Sequence, residues 1–377
     1  MAYDLFGTGK TALKASASRG VEEDSVCYAR ANNPATTVQT STSRVWTDAN
    51  GNFTPDCELL LSAANGECGA WQTPDFGSTR PGTRYDRAIM EGWGERPWNW
   101  EFSAGVQHEI VPRVSASFGW FRRIQGNFFI TDDEAFGRGD FTQFSVVAPT
   151  SDDRLPTAGQ TVGGFYDRNR IVAASNVVKN ASDFGKQKAH WNGVDLAVDV
   201  RLQNGLFLQG GVSTGRTMTD NCDIVDDVPE LLGSQSADYC HVQTPFQAQY
   251  KALAAYTLPY GVRVSGTYQS IPGPQIAANN IYVGTVPSLG RPFTLGQANV
   301  NLIRPGTMYG DRLNQFDLRF SKLLNVGRGR IDLSLDLYNA FNSDAILTQQ
   351  NAFGAAWQRP LTVIQPRFVK LMARWDF

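Results

Sequence analysis

Apolar and polar residues alternate with a period of two in segment after segment of this 377-residue chain. Strands with one greasy and one polar face carry that pattern; helical spacing would scatter the apolar side chains onto all sides. The clearest run is 98–110. There Trp98, Trp100, Phe102, Ala104, Val106 and Ile110 alternate with Asn99, Glu101, Ser103, Gly105, Gln107 and Glu109, and His108 is the one flaw in the apolar series.

Ten segments carry the pattern or a weaker version of it, and with 1–6 they give eleven strands: 1–6, 11–19, 98–110, 113–124, 194–202, 206–219, 246–257, 262–271, 313–324, 330–341 and 367–377. Short connections built from Gly, Pro or Asn-Gly alternate strictly with long ones near 20–97, 125–190, 220–245, 272–312 and 342–356. A soluble sandwich has no reason to keep that order, whereas an outer-membrane barrel does, with short periplasmic turns and long outer loops. Lys14, Glu101, Asp195, Asp199, Arg201, Lys251, Arg263, Asp317, Arg319, Asp332, Asp336, Lys370 and Arg374 share the polar parity. That fits a wet lumen, since a charge at the bilayer midplane costs up to ~2–4 kcal/mol. The competing reading is an ordinary antiparallel sheet with one solvated face. The expected fold is therefore all-β: an antiparallel transmembrane β-barrel, partial, with about eleven strands. An odd strand number, a first strand running towards the periplasm and the opening Met1-Ala2-Tyr3-Asp4-Leu5-Phe6 lead us to expect a truncated chain.

A formal net charge of −2 excludes a nucleic-acid binder that works by bulk positive charge. The five cysteines lie in polar segments, as loop disulfides of an oxidising compartment do. Cys222 and Cys240 bracket one long connection, and Cys57 with Cys68 forms the second candidate pair; Cys27 can replace a partner in either. Gly7-Thr8-Gly9-Lys10-Thr11 imitates a phosphate loop, but Asp4 stands where the full pattern needs Gly, and a strand follows instead of a helix. Gly211-Val212-Ser213-Thr214-Gly215 imitates a nucleophile elbow without the strand-to-helix bend. Asp220, Asp223, Asp226, Asp227 and Glu230 crowd one loop at spacings unlike a calcium hand. No active site, metal or cofactor is expected. Trp98 and Trp100 at one strand end, and Trp375 and Phe377 at the other, are placed for the two aromatic girdles of a barrel. The aromatic-rich segment 71–98 could stack on sugars.

Several phrases resemble the C-terminal half of a TonB-dependent receptor, closest to the Oar-like group. They are Ala2 to Lys14, Trp98-Asn99-Trp100-Glu101-Phe102-Ser103, Leu206 to Thr219, Tyr309 to Gln315 and Asp336-Leu337-Tyr338-Asn339-Ala340-Phe341-Asn342. The resemblance implies that residues 1–377 are part of a roughly 22-stranded barrel. Its plug, its energy-coupling box and its carboxypeptidase-regulatory-like domain would lie upstream. It also implies an outer-membrane location, a lipid surround, energy from the TonB complex, an unidentified solute ligand and terminal Phe377 read by the barrel-assembly machinery. Glu101, Asp195, Asp199, Arg201, Asp317, Arg319, Asp332 and Asp336 would face the lumen. The alternatives are a passive porin-like barrel and a secreted β-sandwich or carbohydrate-binding module.

Overall fold

The computed structural model describes residues 1–22, 26–31, 33–73, 76–79, 82–327 and 329–377. Its frame is one antiparallel sheet whose strands follow chain order: β1 Ala2–Asp4, β2 Thr11–Val21, β3 Trp98–Val111, β4 Val114–Gly126, β5 Lys188–Arg201, β6 Leu206–Asp220, β7 Gln247–Leu258, β8 Val262–Ile271, β9 Leu313–Val326, β10 Gly329–Tyr338 and β11 Phe368–Asp376. A short strand, His241–Gln243, adds to the end of β6. The sheet is open: β1 and β11 are its two ends, with no pairing between them among the described residues.

Every short connection lies at one end of the sheet and every long one at the other. Turn chemistry makes the short ones. Arg113 at φ 72 turns β3 into β4, and Gly205 at φ 85 turns β5 into β6. The strands differ from the sequence expectation mainly at the long-connection end. β5 begins at Lys188, six residues before the alternation becomes legible, because Trp191 and Gly193 interrupt the polar series there. β10 ends at Tyr338, because Asn339 takes φ 48 and donates its amide to Asp317 at 2.8 Å.

The buried core is not on this sheet. Three long connections fold together at its end. Phe141–Val147 pairs with Thr161–Arg168, Asn279–Thr285 with Pro292–Asn301, and Ile346–Gln349 with Pro360–Val363. Their side chains close one cluster around Phe144, Leu155, Phe165, Ala278, Phe293, Leu302 and Trp357. The Trp357 indole N–H finds the Ala277 carbonyl at 2.8 Å, as a buried indole requires. These segments, which lack the alternation and read from the sequence as long loops, are instead a cap with its own strands.

Candidate functional site

Direct cross-strand partners point to the same side of a sheet, so the register assigns each face. One inward row runs Lys14, Gly105, Gly119, Asp195, Ser213, Gln249 across β2 to β7. Another runs Ser265, Arg319, Asp336, Lys370 across β8 to β11. All the charges grouped by parity, from Lys14 to Arg374, fall on this face.

They are tied into chains. Glu101 pairs with Arg123 at 2.6 Å. Arg319 grips Asp336 through two N–H groups at 2.5 and 2.7 Å, and the Asp336 residue is 2% exposed. Asp317 accepts from the Gln315 amide at 3.0 Å, and Gln315 in turn accepts from Gln269 at 2.7 Å. Arg201 lies over the Phe207 ring at 5.4 Å. Asp199 faces Ser115 and Gln209, and Asp332 faces Arg374. One Asp332 oxygen and the Ser334 hydroxyl are buried without a hydrogen-bond partner among the described residues. Ala197, Gln209, Lys251, Gln269, Gln315 and Asp317 border a depression of about 480 Å³ in this wall.

Trp191 belongs to the same face, a position the alternation did not reveal. Its ring lies flat over Gly193 and Gly215: a Cβ on either would come within 2.2 and 2.4 Å of ring carbons. Glycine is required at both because the indole occupies the space.

The opposite face is mostly apolar and uncovered; its charged residues Arg19, Arg122, Lys188, Arg216 and Asp220 lie near the long-connection end and Lys322 near the short turns. A row of Leu13, Val106, Phe118, Leu196, Val212 and Tyr250 crosses six strands. A second, Val200, Leu208, Ala254, Gly266, Leu318, Leu337 and Val369, crosses the other end. Phe118 is 47% exposed, Leu196 49%, Leu333 41% and Leu371 76%. The flaw in the series, His108, stands opposite Thr11 and meets its hydroxyl at 2.8 Å, which satisfies both polar groups within the apolar face. Trp98 and Trp100 end this face at the long-connection side, and Trp375 ends it at the short-turn side.

The phrase from Asp336 to Asn342 gathers the base of the last long connection. Tyr338 stacks on Phe368 at 4.6 Å and Phe341 on Phe316 at 5.5 Å. The Asn339 amide donates to the Ser343 and Gln365 carbonyls at 2.8 and 2.9 Å, so one side chain holds both ends of the connection.

Disulfides join Cys222 to Cys240 and Cys57 to Cys68. The Cys27 side chain lies outside the described part of the structure. The acidic loop forms no metal-binding group among the described residues. Asp220 accepts from the Cys222 amide and from His241, each at 3.3 Å. Glu230 accepts from the Asp133 amide at 3.2 Å; burial pushes its carboxyl up, and the charges of Asp132 and Asp133 add to the rise. Glu134 runs the other way, held below the ordinary range by its hydrogen bond from Lys179 and by Arg84.

The two imitation motifs resolve without catalysis. In the Gly7–Lys10 turn the Asp4 carboxylate takes the Gly9 amide at 2.7 Å, filling the place of an anion. Ser213 sits mid-strand opposite Asp195. In segment 71–98, Trp71 packs edge-on against Phe76 and donates to the Leu59 carbonyl, while Trp93 stands fully exposed.

No family model matches the chain, and no curated protein is similar to it. Among solved structures, the outer membrane transporter YddB from Escherichia coli aligns over all of this chain and 39% of its own, at 11% identity and a TM-score of 0.49. FpvA of P. aeruginosa, in a complex with a heterologous pyoverdine and iron, aligns over 100% and 32% at 10% identity and a TM-score of 0.45. The copper transporter OprC aligns over 78% and 33% at 12% identity and a TM-score of 0.35. The chain thus spans well under half the length of each. At these identities and TM-scores none of the three similarities bears on what the chain does.

Proposed function

We propose that the chain forms part of the barrel wall of an outer-membrane TonB-dependent receptor. The observation that carries the membrane reading is the uncovered apolar face, continuous across the sheet, behind a face that holds the charges. A soluble protein covers such a surface, because exposed apolar patches beyond a few hundred Å² mark interaction or membrane sites. A secreted sandwich would place a second sheet over Leu13, Phe118, Leu196 and Leu333, and among the described residues nothing covers them. Lipid is the covering that matches both the girdles at the two ends and the alternation of short and long connections.

The transport reading rests on the resemblance of the phrases quoted above. The folded cap is the ligand-capturing side, the charged face lines the lumen beside an upstream plug, and TonB supplies the energy for uptake of a scarce or large solute. Trp375 and Phe377 are the signal for the assembly machinery. Residues 1–377 act as a wall, so the chemistry of the parent is transport and not catalysis.

Fractionation of the full-length parent tests the first step: it should sediment with outer membranes and resist a high-salt wash, and recovery in a soluble fraction contradicts the reading. Removing TonB tests the second. Uptake should stop, and uptake that continues unchanged identifies a passive channel.

A further inference from the structure

Two aromatic rings lie against the inward wall with glycine beneath them. Trp191 covers Gly193 and Gly215, which stand directly opposite each other on β5 and β6. Phe121 covers Gly119 in the same way: a Cβ there would come within 2.8 Å of a ring carbon. Trp191 stands opposite Arg123, and Phe121 is two residues from Arg123 on the same face of β4. The two aromatic residues are thus diagonal neighbours, about 7–8 Å apart. A ring placed over glycine shields the backbone there, a task that occupies one of its faces. The other face is open: Trp191 is 37% exposed, and its indole N–H has no partner among the described residues.

Polar groups surround the rings. Glu101 and Arg123 pair at 2.6 Å, and each side chain keeps about half of its surface open. The carboxylate can still accept from hydroxyl groups, and the guanidinium can still donate to them. Asp195, half-buried opposite Gly119 and Ser213, has no hydrogen-bond or ion-pair partner among the described residues. On β2 and β3 the Ser16 and Ser103 hydroxyls meet at 2.7 Å. These groups and the two rings border a cavity of about 360 Å³ in the wall, a size that suits a small-molecule site.

Open ring faces beside mixed donors and acceptors fit one chemistry best. A pyranose presents a face of C–H bonds, which suits the negative π face of an aromatic ring. Its rim of hydroxyls needs donors and acceptors together. The charges argue the same way. Two carboxylates, Glu101 and Asp195, stand against one guanidinium, Arg123, so an anionic metal chelate meets net repulsion. We propose that this part of the inward wall is a binding site for a neutral saccharide, with sugar rings on Trp191 and Phe121 and hydroxyls on Asp195, Glu101 and Arg123. The proposal rests on the lumen reading given above and names the class of solute that the lumen takes.

The test is calorimetric titration of the full-length parent, purified from outer membranes into nanodiscs, without TonB. Maltohexaose, cellohexaose, xylohexaose and laminarihexaose are the probes, with ferric citrate as an anionic chelate. At least one saccharide should bind at sub-millimolar concentration and change the tryptophan fluorescence, whereas ferric citrate should not bind. Trp191→Ala should weaken saccharide binding roughly ten-fold or more. Gly215→Ala, which puts a Cβ where the indole lies, should do the same. Trp191→Phe keeps a ring and should retain most of the affinity while losing the fluorescence change. Asp195→Ala should weaken binding roughly five-fold. Failure of every saccharide to bind the wild-type protein at millimolar concentration overturns the proposal, and that arm needs no variant to fold. Saccharide binding that Trp191→Ala leaves unchanged, or tighter binding of ferric citrate than of any saccharide, overturns it also. A wild-type protein absent from the outer-membrane fraction fails the membrane reading first, so the two failures are distinguishable.

Discussion

At the residue scale, adjacent side chains of one strand have opposite fates. Leu196 points to the uncovered face and Ala197 to the charged one, where it borders the depression that also holds Lys251 and Asp317. In the full-length parent, Leu196→Arg should lower the amount inserted, since it puts a charge into hydrocarbon at a cost of about 2–4 kcal/mol. Ala197→Arg should insert nearly as wild type. Quantitative blotting of outer membranes checks the pair, and equal levels would contradict the facing. The same logic ranks the ion pairs. Asp336 is almost fully buried and accepts two N–H bonds from Arg319. Glu101 and Arg123 are both substantially exposed. Asp336→Ala should therefore cost about 1.5–3 kcal/mol, whereas Glu101→Ala should cost no more than about 1 kcal/mol. The order of the temperatures at which the folded band disappears in a heat-modifiability gel reads this directly, and a reversed order would refute it.

At the element scale, the strands and the cap were unequally legible. All strands of the frame after β1 coincide with segments where period-2 alternation is visible, because each has one charged and one apolar face and its residues must alternate to suit both. The cap was not legible. Its strands are short, as with Ile346–Gln349, and burial along them does not keep a period of two: Thr161–Arg168 buries the adjacent Gly164 and Phe165 and also Val162 and Asp167. Trp191 was missed for a related reason: it faces inward among polar residues and is placed by two glycines, not by hydrophobicity. The cap predicts its own behaviour. Phe144, 3% exposed, touches Phe165 and Phe293. Phe144→Ala should destabilise the cap by about 3–5 kcal/mol. Amide exchange should then quicken together in 141–168, 279–303 and 346–363 while β4 to β10 stay protected; acceleration confined to 141–168 would show that the three connections are not one unit.

Glu230, on the 220–245 connection beside Asp133, gives the neighbouring 127–187 segment a pH dependence. Its folded carboxyl is raised by burial, so its contribution is present below the unfolded value and is lost as pH rises through the folded one. Glu134, lowered by Lys179, contributes in the opposite direction, at neutral pH and not in acid. Glu230→Gln keeps an acceptor for the Asp133 amide and removes the buried charge. It should slow proteolysis within 127–187 at neutral pH and leave it unchanged in acid, and faster cleavage at neutral pH would contradict the assignment.

At the scale of the whole molecule, the sheet has two open ends and two different faces. The edge at β11 exposes Val369, Leu371, Trp375 and Phe377, an aggregation hazard if left unpaired in water. Within the proposed barrel it closes against another strand, and Phe377 serves assembly. Deleting Phe377 from the parent should lower its outer-membrane level and raise its periplasmic degradation, and unchanged levels would remove the signal role.

The central claim is that one face of this sheet meets lipid and the other water. Single cysteines placed in turn at 194–200 on β5 of the full-length parent, spin-labelled in outer membranes, test it most directly through accessibility to oxygen and to a water-soluble relaxer. Accessibility should follow a period of two, with positions 194, 196, 198 and 200 open to oxygen and 195, 197 and 199 open to the aqueous relaxer. Uniform aqueous accessibility along the strand would contradict it.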